Sequence, residues 1–123
     1  MKILLIEDEQ ILADVLQEKL REANFTVELA VDGEVALGQA RSFHPDLIIL
    51  DLILPKKDGF EVLGELKSDV LLKHVPVVVL SNLGQDEEIK RAFSLGAVDY
   101  MVKTQHPINE VVEKIKKHSL IAK

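Results

Sequence analysis

The chain has 123 residues, a formal net charge of -6 and no cysteine. This length predicts one domain, residues 1–123, and the missing cysteines exclude disulfides, thiolate metal sites and cysteine nucleophiles. The chain has no basic cluster large enough to indicate nucleic-acid binding as its main activity. Its apolar N-terminal run is too short for a signal peptide or a membrane span. The absence of cysteine fits a protein of the reducing cytoplasm.

Five short apolar runs along the chain predict β-strands. The runs are Ile3–Ile6, Phe25–Ala30, Leu47–Leu50, Val75–Leu80 and Val98–Val102. The first, third and fourth are apolar at successive positions, as strands buried on both faces require. The second alternates between apolar and polar residues, which favours a place nearer the edge of the sheet.

Amphipathic patterns between these runs predict five α-helices. The helices span Gln10–Ala23, Glu34–Phe43, Asp58–Ser68, Gln85–Leu95 and Pro107–His118. Asn24 suits the left-handed position after the first helix, and Pro107 suits the first turn of the last. Lys116, Lys117 and His118 would complement the negative end of that last helix.

Strands that alternate with helices predict an α/β fold, with a parallel sheet covered on both faces. The apolar stripes of the helices, which include Val15, Val35 and Phe93, are expected to pack against that sheet. Right-handed crossovers and the chain length favour a flavodoxin-like, doubly wound (βα)5 arrangement. The predicted order of the five-stranded parallel sheet is 2-1-3-4-5.

Polar side chains come directly after four of the five predicted strands. Glu7 and Asp8 follow the first, Asp51 the third, Ser81 the fourth and Lys103 the fifth. Ligands of doubly wound sheets bind beyond the carboxyl ends of the strands, at the switch point, which here lies between strands 1 and 3. Three convergent carboxylates repel one another unless a cation intervenes, and hard oxygen ligands suit Mg²⁺. Together with a lysine and a hydroxyl donor, this set predicts phosphoryl transfer to a carboxylate.

Simpler interpretations exist for several residues taken alone. Glu9 is best explained as an acid at the N-terminus of a helix, where it favours the helix dipole. Ser81 alone would be the start of a loop, Lys103 alone a surface lysine, and Asp58-Gly59 a turn that begins a helix. The convergence of Ser81 and Lys103 with the carboxylates at one edge of the sheet favours the functional interpretation.

Four short motifs mark the ends of these strands. They are Glu7-Asp8, the segment DLILPKKDG from Asp51 to Gly59, the segment LSN that contains Ser81, and the segment DYMVK from Asp99 to Lys103. With these motifs in this order, the chain resembles a receiver domain of two-component response regulators, and is similar to the single-domain, chemotaxis-type members. The resemblance extends over essentially the whole chain. Each motif is weak by itself, but the four together are specific.

The resemblance implies a signalling phosphoacceptor rather than an enzyme. Asp51 would accept a phosphoryl group from a sensor histidine kinase or a phosphotransfer protein, and would later lose it slowly. Ser81 and Lys103 would bind the phosphoryl group. Ser81 and Tyr100 would act as a switch that changes the surface of the fourth helix, fifth strand and fifth helix, and so controls a downstream protein or output domain.

The resemblance also implies a set of metal ligands. Asp8 and Asp51 would bind Mg²⁺ directly, and Glu7 would act mostly through water. The backbone carbonyl of Ile53 would complete the protein ligands.

The fourth predicted helix carries charges of both signs. These residues are Asp86, Glu87, Glu88, Lys90 and Arg91. Two interpretations stay open for them: a surface for homodimer formation on activation, or an ordinary solvated helix face. The sequence also leaves open whether the chain stands alone or precedes an output domain.

The sequence departs from the usual receiver pattern near the predicted site. Thr104 follows Lys103 where most receivers have proline, and the proline comes later, as Pro107. We therefore expect a loop of different shape at Lys103. Asn82 replaces a small residue and would narrow access to the site, whereas the apolar Ile53 and Leu83 would flank the path of an attacking water.

Other functional classes remain as alternatives. A pseudo-receiver, which would act as an interaction module without phosphorylation, is the main one. An aspartate-based phosphatase would need two aspartates one residue apart after the first strand, where this chain reads IEDEQ. Asp51 is followed by Leu52 and Ile53, with no second acid. A nucleotide binder would need a glycine-rich or hydroxyl-rich loop after the first strand, where EDE would repel phosphate in the absence of a metal.

Overall fold

The computed structural model describes residues 1–122 as a five-stranded parallel sheet with five α-helices. The strands are β1 (Lys2–Ile6), β2 (Thr26–Ala30), β3 (Leu47–Leu50), β4 (Val77–Ser81) and β5 (Asp99–Val102). The helices are α1 (Gln10–Glu22), α2 (Gly33–Phe43), α3 (Gly59–Ser68), α4 (Asp86–Ser94) and α5 (Ile108–Ala122). The sheet order is β2-β1-β3-β4-β5, which confirms the predicted flavodoxin-like topology and the edge position of β2.

The parallel pairing brings the carboxyl ends of the strands level with one another. Ile6 of β1 pairs with Leu50 of β3, and Ser81 of β4 pairs with Val102 of β5. The residues that come next in the chain therefore emerge at the same edge of the sheet. The register explains why distant acids and a lysine can meet there.

The sheet separates two hydrophobic clusters, because successive side chains of a strand point to opposite faces. Leu4 and Ile6 of β1 join the cluster beneath α2, α3 and α4, whereas Ile3 and Leu5 join the cluster beneath α1 and α5. Within α4, Ala92 is the only buried residue. Helix α4 is therefore attached to the core by less apolar surface than its neighbours.

The predicted core stripes were wrong at three helix positions. Val15, Val35 and Phe93 keep 38%, 42% and 46% of their surface exposed. In α2 the predicted core residue Ala40 is buried, and Ala36 is buried in place of Val35. Small residues there let the helix backbone approach the sheet closely, so the stripe that contacts the sheet is narrower than the apolar pattern predicts.

Two predicted element boundaries also needed correction. Strand β4 starts at Val77 rather than at Val75, because the Val75 N–H donates to the Leu72 carbonyl in a turn. Helix α5 extends to Ala122, so Lys116–His118 lie inside the helix and not at its negative end. His118 Nε2 instead lies 2.9 Å from the Asp99 carboxylate and ties α5 to β5.

Helix ends agree with the capping residues in the sequence. Asp58 accepts hydrogen bonds from the N–H groups of Phe60 and Glu61 at the start of α3, as a side-chain N-cap does. Asn24 adopts a left-handed φ of 72° after α1, as predicted. Across residues 1–122, every helix falls short of the length and apolarity needed to cross a bilayer.

Candidate functional site

Three carboxylates converge where β1 and β3 end. The Asp51 N–H donates to the Ile6 carbonyl at 3.0 Å, which continues the β1–β3 pairing by one residue. Glu7 and Asp51 are buried, with 1% and 3% of their surface exposed, whereas Asp8 faces solvent. One carboxylate oxygen from each of the three residues lies within 4.8 Å of the other two. The predicted acidic cluster is therefore present, and two of its members are buried side by side.

Lys103 bridges this cluster from the neighbouring strand end. Its Nζ lies 2.9 Å from Glu7 Oε1, 2.8 Å from Asp51 Oδ2 and 2.8 Å from Glu9 Oε2. Burial by itself lowers the pKa of Lys103, but the hydrogen bonds to Asp51, Glu9 and Glu7 outweigh it and raise that pKa. The lysine therefore stays charged and neutralises part of the cluster.

The loop at Lys103 differs from the usual receiver pattern without losing this contact. Lys103–Gln105 form a short 3-10 turn directly after β5, and Thr104 faces solvent. The turn directs the lysine inward, where its side chain is only 10% exposed.

Burial dominates the electrostatics of Glu7. Burial and the neighbouring Asp51 charge raise its pKa from the ordinary value of 4.5 to about 7, against the opposing hydrogen bond from Lys103. Between these two values the folded protein holds a proton that the unfolded chain has released. Stability should therefore fall as the pH rises through this range.

We expect the metal-free protein to lose about 1–2 kcal/mol of unfolding free energy between about pH 5 and about pH 7.5, after allowance for solvent screening. In Glu7→Gln the pH dependence over this range should flatten, because glutamine does not titrate. Urea unfolding in EDTA at several pH values measures both proteins. An identical pH dependence in Glu7→Gln would show that the proton is held elsewhere.

One backbone N–H and one side chain hold the two oxygens of the Asp51 carboxylate. The Ile53 N–H donates to Asp51 Oδ1 at 3.1 Å, while Lys103 holds Oδ2. Gly59 at the start of α3 packs directly against this loop, and a Cβ there would lie 2.5 Å from the Asp51 carbonyl oxygen. Glycine at this position is therefore required by the space available.

A hydrogen-bonded path connects Ser81 with Tyr100. Ser81 ends β4, is fully buried, and its Oγ accepts from the Leu83 N–H at 3.4 Å. The Leu83 carbonyl accepts from the Tyr100 hydroxyl. Burial, together with the charges of Glu88 and Asp51, raises the pKa of Tyr100 to about 12, so the hydroxyl remains a donor at neutral pH. Ser81 and Tyr100, predicted as a switch pair, are thus linked through the β4–α4 loop.

Glu9 lies at the predicted N-terminus of α1 and makes a further contact that the sequence did not predict. It does occupy the N-cap position of α1, but its side chain accepts no capping hydrogen bond. Its carboxylate pairs with Lys103 instead. The available signal was the third acid in the run EDE, because an acid next to two site carboxylates can reach the same cation.

The donor set fits a hard dication. Three carboxylates within 4.8 Å supply only oxygen ligands, and the exposed Asp8 leaves one side of the cluster open to water. Mg²⁺ in proteins is held by one or two carboxylates and retains several waters. The residues present therefore fit the metal that their chemistry predicts.

Comparison with known proteins agrees with this geometry. A family model of the response regulator receiver domain matches residues 3–116. The chain is 40% identical over 125 residues to the alkaline phosphatase synthesis transcriptional regulatory protein PhoP of Bacillus subtilis, covering 98% of this chain and 50% of that protein. It is 40% identical over 102 residues to the DNA-binding dual master transcriptional regulator RpaA of Synechocystis, covering 83% and 42%. The chain thus spans about half the length of these curated relatives.

Solved structures give the same result. The phosphorylated cyanobacterial phytochrome response regulator RcpA is 36% identical, with a TM-score of 0.83 over 94% of this chain and 91% of that one. The Mn²⁺-bound form of response regulator Rcp1 is 32% identical, with the same TM-score and coverage. The chain belongs to the family of receiver domains of two-component response regulators.

Proposed function

We propose that Asp51 accepts a phosphoryl group from a sensor histidine kinase or a phosphotransfer protein. The observation that carries this proposal is the contact of Lys103 Nζ with Asp51 Oδ2 at 2.8 Å, inside a cluster of three carboxylates. A buried carboxylate beside a fixed cation and open to solvent through Asp8 is placed to act as a nucleophile towards phosphorus.

In the transfer, an Asp51 oxygen forms the new bond to phosphorus as the bond from phosphorus to the donor nitrogen breaks. Lys103 holds a phosphoryl oxygen and balances the charge that the transition state spreads over the equatorial oxygens. The Ser81 hydroxyl donates to another phosphoryl oxygen. When bound, Mg²⁺ would supply further positive charge next to the phosphoryl group.

We assign the Mg²⁺ ligands to Asp8 and Asp51, with the Ile53 carbonyl, and give Glu7 a contact through water. The indirect role of Glu7 is supported by its own bonds, because Oε1 pairs with Lys103 and Oε2 accepts from the Glu9 N–H. Asp8, which faces solvent, has more freedom to bind an ion directly.

In this proposal, a phosphoryl group on Asp51 changes the surface formed by α4, β5 and α5, and Tyr100 connects that surface with the site. Movement of Ser81 towards the phosphoryl group alters the Leu83 segment, to which the Tyr100 hydroxyl is bonded. The surface of α4, β5 and α5 then changes, and controls a downstream protein, an output domain or a homodimer. In this proposal residues 1–123 act as one receiver domain.

The direct test is incubation with Mg²⁺ and acetyl phosphate, followed by intact mass spectrometry, with Asp51→Asn as the control. The wild-type protein should gain one phosphoryl group and the variant none. If neither protein gains phosphate from acetyl phosphate or from a histidine kinase, the alternative applies, and the chain is a pseudo-receiver that acts without phosphorylation.

Asn82 should slow the reaction with small phosphodonors. The residue follows Ser81 and faces solvent, and in this proposal its side chain narrows the approach of the donor. We expect Asn82→Ala to react about threefold faster with acetyl phosphate, while a protein donor that docks on a larger surface gains less. Initial rates from intact mass measure the ratio, and equal rates would remove Asn82 from the access path.

The phosphorylated protein should be long-lived. Ile53 and Leu83 are apolar residues two positions beyond Asp51 and Ser81, and they offer no side-chain hydrogen bond to orient an attacking water. We expect Leu83→Gln to shorten the half-life about tenfold, because an amide can hold that water in line. Decay of the phosphorylated mass after donor removal measures both proteins. Loss within seconds in the wild type would contradict the expectation.

A further inference from the structure

The loop between β3 and α3 contacts a second helix on its far side. An added Cβ at Gly33, the first residue of α2, would lie 2.0 Å from the Lys57 carbonyl oxygen. The Gly33 N–H also points at the loop and donates to the Pro55 carbonyl at 3.3 Å. Only glycine leaves room for this approach of two backbones.

The carboxylate of Asp32 strengthens the contact between α2 and the β3–α3 loop. Asp32 is 7% exposed, and its Oδ1 accepts from the N–H groups of Glu34 and Val35, which caps α2. Its Oδ2 lies 3.5 Å from Lys56 Nζ. Lys56 adopts a left-handed φ of 70°, so the loop is held in a conformation that most residues avoid. We call the group Asp32, Gly33, Pro55, Lys56 and Lys57 the α2 latch.

The α2 latch lies close in sequence to Asp51, the proposed phosphoacceptor. Leu54 alone separates Pro55 from Ile53, and the Ile53 N–H donates to Asp51 Oδ1 at 3.1 Å. A shift of the latched segment therefore reaches the Asp51 carboxylate through the backbone of Leu54 and Ile53 and one hydrogen bond. The other end of the loop cannot absorb such a shift, because Gly59 already packs against Leu52 and Asp51.

We propose that Asp32 and Gly33 are positioning residues, which through the α2 latch hold the Ile53 peptide and the Asp51 carboxylate in the geometry for phosphorylation and metal binding. This inference rests on the proposed function for the roles of Asp51 and the Ile53 carbonyl. To relieve the overlap in Gly33→Ala, the loop must move by about 1.4 Å, since ordinary contacts begin at 3.4 Å. Displacements of this size can change reaction rates by about 100-fold.

The experiment compares Gly33→Ala with Gly38→Ala. Both positions are in α2, but a Cβ at Gly38 meets nothing within 4 Å, so the control adds the same methyl group without displacing the loop. The readouts are the solvent exchange rate of the Ile53 amide in metal-free protein, the Mg²⁺ affinity from an NMR titration, and the phosphorylation rate with acetyl phosphate.

We expect Gly33→Ala to raise the solvent exchange rate of the Ile53 amide about tenfold and to lower the Mg²⁺ affinity about tenfold. Phosphorylation at limiting Mg²⁺ should slow by about 30-fold or more. Gly38→Ala should stay within about twofold of the wild type in all three. Exchange and Mg²⁺ affinity in Gly33→Ala that match those of Gly38→Ala would overturn the inference, even if phosphorylation is slower.

Asp32→Asn decides the matter if Gly33→Ala does not fold. Asparagine can still cap α2 but loses the charge that attracts Lys56. We expect Ile53 exchange to rise about threefold in this variant, and an unchanged rate would overturn the inference. Failure of the proposed function is a separate outcome: the wild-type protein would then take no phosphoryl group, while the Ile53 exchange rates would still test the latch.

Discussion

Lys103→Met should destabilise the metal-free protein by about 3 kcal/mol at neutral pH. The substitution keeps much of the side-chain volume but removes the ammonium group that contacts Glu7, Glu9 and Asp51. The buried carboxylates of Glu7 and Asp51 then face each other without a cation. Mg²⁺ should restore more stability to the variant than to the wild type, because the ion replaces the missing charge. Phosphorylation by acetyl phosphate should slow by about 10- to 100-fold.

Urea unfolding with and without Mg²⁺ measures the stability, and intact mass measures the phosphorylation rate. Lys19→Met is the matched control, because Lys19 pairs with Glu22 at 3.8 Å on an exposed helix surface. Its unfolding free energy should change by less than about 0.5 kcal/mol. If the two variants have the same unfolding free energy, the Lys103 contacts contribute no more to stability than the exposed ion pair of Lys19.

Gly59→Ala should cost about 3 kcal/mol of unfolding free energy and slow phosphorylation. The added Cβ would lie 2.3 Å from Leu52 Cα and 2.5 Å from the Asp51 carbonyl oxygen. Both are backbone atoms, so no side-chain rotation can relieve the overlap. The Gly59 N–H also donates to the Leu52 carbonyl at 2.9 Å, and this bond must lengthen as α3 moves away.

Gly64→Ala on the same helix provides the control. A Cβ at Gly64 meets nothing within 4 Å, and alanine is the better helix former, so this variant should gain up to about 1 kcal/mol. Urea unfolding midpoints for the two variants should therefore move in opposite directions. Movement in the same direction would mean that the loop at Asp51 yields more easily than its contacts imply.

The sequence predicted the topology and most of the candidate site, because both depend on apolar runs and on the polar residues directly after each run. A run such as LIIL at Leu47–Leu50 favours a short buried strand, and its register with β1 then places Asp51 beside Glu7. The sequence shows Thr104 after Lys103 but does not show the shape of this loop. The 3-10 turn at Lys103–Gln105, which directs Lys103 towards the carboxylates, has no signal in the local pattern.

Features that depend on side-chain direction could not be predicted. Glu9 has the position of a helix cap, and only the three-dimensional placement of Lys103 turns its carboxylate away from the helix. Val35 belongs to an apolar stripe, yet α2 lies so close to the sheet that alanines occupy the contact. The contact of Gly33 with Lys57 joins the start of α2 to the β3–α3 loop, and no sequence pattern connects the two.

The small buried surface of α4 affects how the sequences of receiver domains can diverge. Because Ala92 alone of this helix is buried, most of its other positions carry no packing requirement. Substitutions at Asp86, Glu87 or Lys90 should therefore change folding stability by less than about 0.5 kcal/mol. Under the proposed function, related proteins could exchange these residues, and with them the partner that is recognised, without a change in the phosphorylation chemistry proposed for Asp51.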